Sequence, residues 1–183
     1  MNPKFGVLGL CLIGLTIVNP VQAADTNAVA GRVGVYDSRA VAYAWFCSDA
    51  QMAQLKEQMA TARAAQQAGD QTKLKEYSTT LKAKQDQMHR EVFSIAPAAE
   101  ALAALSPRLL EIEQAAGVTN LVSKWDDPVL SKYKDAKQVD VTDALVHALI
   151  QPTEKQSKMI ESIEKAEPVP LEKCNELIKK DEL

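Results

Sequence analysis

The chain has 183 residues and carries 21 Lys or Arg against 24 Asp or Glu, a mildly acidic balance that argues against a general nucleic-acid binder. Its two histidines, His89 and His147, stand 58 positions apart, and no H-x-x-x-H or C-x-x-C pairing offers metal-ligand spacing. With few glycines and no nucleophile elbow, neither phosphate-cradling loops nor Ser/His/Asp or Cys/His catalysis is expected, and no metal or cofactor.

Residues 1–23 read as a secretory signal peptide. Lys4 supplies the positive n-region, Phe5 to Val18 form an apolar run, and Asn19 and Pro20 break it. Val21-Gln22-Ala23 then places small residues where a signal peptidase needs them. The run of 14 residues is too short for a spanning helix, which needs about 20. Cys11 follows Leu10, a poor lipoprotein cleavage context, so release is expected, with membrane contact at most peripheral. Cleavage after Ala23 leaves 160 residues with 20 basic and 24 acidic side chains, the size of one domain. Two cysteines remain, Cys47 and Cys174. In an oxidising compartment they could pair or stay as two thiols, and the sequence leaves both open.

Gly31 to Asp37 alternates as a strand, with Val33 and Val35 on one face and Tyr36 on the other. Ser38 is expected to cap a short helix, Arg39 to Phe46. Ser48-x-x-Gln51 is a capping box that opens the next helix. Along it Met52, Leu55, Met59 and Ala62 form one apolar stripe, which ends at Gly69-Asp70. A second helix carries Leu74, Tyr77, Leu81, Met88 and Val92, with Lys84 and Gln85 where another apolar residue was due. Together they predict an antiparallel αα-hairpin over residues 48–92, roughly 30 Å long. Tyr77 is its only aromatic, while the body holds the others, which predicts a thin projection from a compact aromatic body.

Pro97 opens a further helix with Leu102, Leu105, Leu109 and Ile112 in register. Ser106-Pro107 marks a kink or a restart, and Gly117 ends the helix. Val118 to Trp125 reads as a second strand. Asp126-Asp127-Pro128 closes it, a two-acid turn that suits a solvated strand end better than a cation site. Gln138 to Val141 is a short edge strand. Thr142 is expected to cap a helix of Leu145, Val146, Leu149 and Ile150. Thr153-x-x-Gln156 boxes a helix of Met159, Ile160 and Ile163. After Pro168-Val169-Pro170 comes a terminal helix with Cys174, Leu177 and Ile178. So few strands need partners, so the small sheet is expected to be completed by oligomerisation. The expected fold is α+β and mostly helical, with one domain over 24–150 and a helical extension over 151–183.

Arg32-Val-Gly-Val-Tyr-Asp-Ser-Arg-Ala-Val resembles the first strand and following turn of the Skp/OmpH family of periplasmic chaperones. Gly117-Val-Thr-Asn-Leu-Val-Ser-Lys-Trp looks like that family's second strand, and Gln138-Val-Asp-Val-Thr-Asp-Ala-Leu-Val resembles its last strand entering a "D-[IV]-T" helix. The resemblance covers roughly Gly31 to Ile150. It implies a homotrimer whose strands form a small barrel and whose coiled-coil-like hairpins surround unfolded outer-membrane proteins. This chain would be a short-hairpin, acidic member of that family. The implied function is an ATP-independent periplasmic holdase in outer-membrane biogenesis, its partners being unfolded or partly folded exported proteins. Client-binding residues would be Met52, Leu55, Met59, Leu74, Tyr77, Leu81 and Met88, because thioethers and aliphatics repack around many shapes. The competing expectation is that these residues are hairpin core. An envelope scaffold docking one defined partner is the alternative function, and a small-ligand binder is a third. Lys180-Asp-Glu-Leu183 spells an endoplasmic-reticulum retention signal, which would place a eukaryotic protein in the lumen and means nothing in a bacterium.

Overall fold

The computed structural model describes residues 31–183, so the signal-peptide reading of residues 1–23 lies outside the described residues. The fold is α+β and mostly helical, with three parallel strands among the described residues. Strand β1 (Arg32–Tyr36) lies between β2 (Leu121–Ser123) and β3 (Lys137–Asp140). Gly34 pairs with Leu121 on one side and with Val139 on the other. A parallel sheet needs both faces covered, and Val33, Gly34 and Tyr36 of the middle strand are buried accordingly. Gly34 permits the close approach of the chain entering β2. A Cβ there would meet Leu121 Cδ2 at 2.6 Å, Val118 Cγ2 at 3.2 Å and the Asn120 carbonyl at 3.3 Å.

The predicted second strand is shortened from eight residues to three. The chain turns at Ser123, whose Oγ accepts from Trp125 N at 3.2 Å and whose carbonyl accepts from Asp126 N at 3.0 Å. A short helix the sequence did not announce, α5 (Asp127–Leu130), follows a cap made by Asp126 and leads into a 3-10 turn at Ser131–Tyr133.

Helix α1 (Ser38–Phe46) is capped by Asp37, not by Ser38 as expected. Asp37 has the extended backbone of a cap, and its Oδ1 accepts from Arg39 N at 2.9 Å, whereas Ser38 is already helical and its Oγ meets Ser123 Oγ. Ser48 caps α2 (Asp49–Gln67), accepting from Gln51 N, and Asp70 caps α3 (Gln71–Val92). Between them the turn closes with Asp70 N donating to the Ala65 carbonyl, and Gly69 adopts φ 69°, which glycine tolerates without strain. Helix α4 (Ala99–Ala116) runs unbroken through Pro107, which lies on its exposed side, and ends at Gly117 in the left-handed region.

Helix α6 (Thr142–Leu149) begins one residue earlier than a Thr142 cap would allow. Thr142 is buried instead, and its Oγ1 accepts from Asp37 N at 2.9 Å. Helix α7 (Glu154–Lys165) has both halves of its capping box, and α8 (Leu171–Lys179) closes the chain. The core gathers Tyr36, Val41, Ala101, Leu105, Leu145 and Ile163. Residues 151–183 belong to that body. Ile160 and Ile163 pack inward from α7, while Cys174 and Ile178 of α8 are buried beside α3. No helix among the described residues is long and apolar enough to cross a membrane.

Candidate functional site

Helices α2 and α3 form an antiparallel pair, and the main packing of α2 is against α3, with its start against α1. The α2 side chains turned inward are Gln51, Gln58, Ala62 and Ala65. Met52, Leu55 and Met59 lie beside that seam and stay 41%, 38% and 44% exposed. On α3, Leu74, Tyr77, Leu81 and Met88 are half-buried, and Val92 is buried in the body. The sequence stripe is therefore half-buried on α3 and solvent-facing on α2.

Where the two helices leave the body, they enclose a cleft of about 200 Å³ lined by Phe46, Leu55, Leu81 and Met88, with Gln51, Gln54, Gln58, Lys84 and Gln85 around it. Lys84 and Gln85, the interruption in the α3 stripe, are thus rim residues. Lys84 Nζ lies 3.2 Å from Glu100 Oε2 and 5.5 Å from the Phe46 ring centroid. The glutamines were missed because they are polar, although 51, 54 and 58 share one helical register. That register was the available signal.

A second cluster, also missed, sits at the carboxyl ends of the three strands. Asp37 is 1% exposed and Arg39 is 2% exposed. Asp37 Oδ1 accepts from Arg39 N, Arg39 Nε and Trp125 Nε1, and its Oδ2 accepts from Arg39 Nη2 at 3.0 Å and Lys124 Nζ at 2.8 Å. Arg39 Nη1 donates to the Ala166 carbonyl at 2.9 Å, and its guanidinium lies 4.5 Å from the Trp125 ring centroid. This strand edge is where open α/β sheets place ligands. Here both carboxylate oxygens are occupied by protein donors, so the cluster is a lock rather than a receptor. Burial works against the Asp37 charge, but the bonds from Arg39, Lys124 and Trp125 outweigh it and hold the pKa below the ordinary carboxylate value.

At the base of α3, Glu91 is buried. Its Oε1 accepts from Gln87 Nε2 at 2.9 Å, and its Oε2 has no partner among the described residues. Burial pushes this carboxyl up, against the pull of the Gln87 bond, and Glu100 adds to the rise. A raised folded-state pKa makes stability greatest below the unfolded value and lost as pH rises through the folded one. Glu91→Gln should therefore gain melting temperature over the parent from about pH 4 toward neutral, with little difference in acid. Parallel melting curves across that range would show that the carboxylate costs nothing there.

The remaining candidates separate. Cys47 and Cys174 are free thiols, so the bridge left open by the sequence is not formed. Cys174 is sealed between α8 and α3, its Sγ 3.7 Å from the His89 carbonyl, and burial pushes its thiol up. Cys47 follows α1 beside Tyr43, whose hydroxyl is pushed up to about 12 by burial and by that thiol. His89 is buried on α3 and His147 is exposed on α6. The Asp126 carboxylate caps α5 by accepting from Val129 N at 3.1 Å. Among the described residues no group of three or more His, Cys, Asp or Glu is placed to hold a metal. In the terminal tetrapeptide, Asp181 accepts from Lys82 Nζ at 2.6 Å. Compared with family models, curated proteins and solved structures, the chain finds no match in any of the three.

Proposed function

We propose that this protein is an ATP-independent holdase of the Skp/OmpH kind, working in the periplasm on unfolded or partly folded exported proteins. The observation that carries the reading is the row Met52, Leu55 and Met59, three large apolar side chains left near two-fifths exposed on one helix. Scattered exposed apolar residues are ordinary, but three in one helical register make a strip. Burying what remains exposed is worth about 3 kcal/mol for the three together. Micromolar binding needs about 8 kcal/mol, so one hairpin holds a client loosely and several copies hold it firmly. That arithmetic favours several copies acting together, in line with a trimer. So does the sheet, whose three strands leave the outer rims of β2 and β3 unpaired among the described residues. In the assembly we propose, strands join at these rims and hairpins project around the client.

The test is light scattering from an unfolded porin diluted into buffer with the purified protein. The parent should suppress aggregation, and the triple variant Met52→Ser, Leu55→Ser, Met59→Ser should lose most of that effect. Its melting temperature should barely move, because exposed substitutions usually change stability by no more than about 0.5 kcal/mol. Undiminished suppression by the triple variant would remove the strip from the account. Protection of one partner alone, with unrelated unfolded membrane proteins ignored, would identify an envelope scaffold instead.

A further inference from the structure

We propose that the cleft at the root of the hairpin is a pocket for one bulky apolar side chain of an extended polypeptide, whose backbone pairs with the surrounding glutamine carboxamides. This deepens the holdase reading and rests on it. The cleft measures about 200 Å³, below the roughly 300–1,000 Å³ of sites for drug-sized ligands. At that size the cleft suits a single Leu, Met or Phe side chain better than a nucleotide. Its apolar walls come from three helices: Phe46 ends α1, Leu55 comes from α2, and Leu81 and Met88 come from α3.

The rim supplies the chemistry. Gln51, Gln54 and Gln58 run along α2 at helical spacing, and Gln85 faces them from α3. Among the described residues, none of these four carboxamides takes part in a hydrogen bond, while Gln87, outside the cleft, is engaged with Glu91. A carboxamide offers one acceptor and one donor group, as a peptide unit does. Lys84, the one charged lining residue among the described residues, is engaged by Glu100 and lies over Phe46, so they present no free charge to a phosphate or carboxylate in the cleft. Leu55 belongs to both the cleft wall and the exposed strip. An extended chain lying along Met52 and Met59 thus passes the mouth and can insert one side chain.

Methyl NMR of the purified protein with labelled methionines reads this directly, using an uncharged blocked pentapeptide with a central leucine. The Met88 methyl should shift and saturate, while Met159 on α7, itself exposed but away from the cleft, stays still. Replacing the central leucine by serine should weaken binding about tenfold or more. Leu81→Trp, which fills the cleft, should abolish the Met88 shift. Gln54→Ala with Gln58→Ala, at positions outside the buried core, should weaken binding several-fold with the fold unchanged. A peptide that moves Met52 and Met59 but not Met88, or that binds Leu81→Trp as it binds the parent, refutes the pocket while porin protection leaves the holdase reading standing. A saturating Met88 shift without porin protection keeps the pocket and overturns the holdase.

Discussion

Replacing Asp37 with alanine should cost about 3–5 kcal/mol, the loss expected when one member of a buried ion pair is removed and the other is left uncompensated. Arg39 would keep its guanidinium in the interior, with only the Ala166 carbonyl and the Trp125 face to satisfy it. The same change deletes the cap of α1 and releases Lys124. For a chain of this size the melting temperature should fall by roughly 10 °C or more. Adding Arg39→Met should restore part of the loss, since the charge with no partner goes with it. If Asp37→Ala alone is nearly neutral, water reaches the guanidinium and the lock contributes little. The pH dependence follows from the depressed pKa. The contribution of Asp37 is complete above the unfolded carboxylate value and is lost as pH falls through the lower folded value. Parent and Asp37→Asn should therefore converge in strong acid.

Leu145→Ala should cost about 2–5 kcal/mol. Leu145 is fully buried on α6, which packs against α1 and α4, in the cluster with Val41, Ala101 and Leu105. The space left by its side chain closes poorly, because the Thr142 bond to Asp37 N ties the start of α6 to the end of β1. Leu145→Met, nearly equal in volume, should stay below about 1.5 kcal/mol. Leu110→Ala, at a side chain 62% exposed, should lie within about 0.5 kcal/mol of the parent by chemical denaturation. A small loss at Leu145 would mean that α6 settles inward freely.

What could be read from the chain was local. Ser48, Gly69, Gly117 and the Thr153–Gln156 box act within a few residues of themselves, and each stands where its spacing placed it. The α2–α3 pair was legible for the same reason. The length of β2 was not, because Ser123 turns the chain with a side-chain bond that no alternation pattern encodes. Asp37 was misread as the end of a strand, because its distant partners lie at 124, 125 and 142, and those of the Arg39 it binds reach to 166. Of the candidate binding residues, periodicity found the stripe but could not divide it. Only the packing shows that Leu74, Tyr77, Leu81 and Met88 turn partly inward while Met52, Leu55 and Met59 do not.

The bond from Arg39 to the Ala166 carbonyl spans 127 positions. A polypeptide delivered amino end first has no such carbonyl to offer until nearly all of it has emerged. At roughly 5–20 residues per second, that interval is on the order of ten seconds. Through it the clasp stays one bond short, and Ile160 and Ile163, which cover the core from α7, are not yet there to shield it. For that time it is itself an open polypeptide in need of shelter.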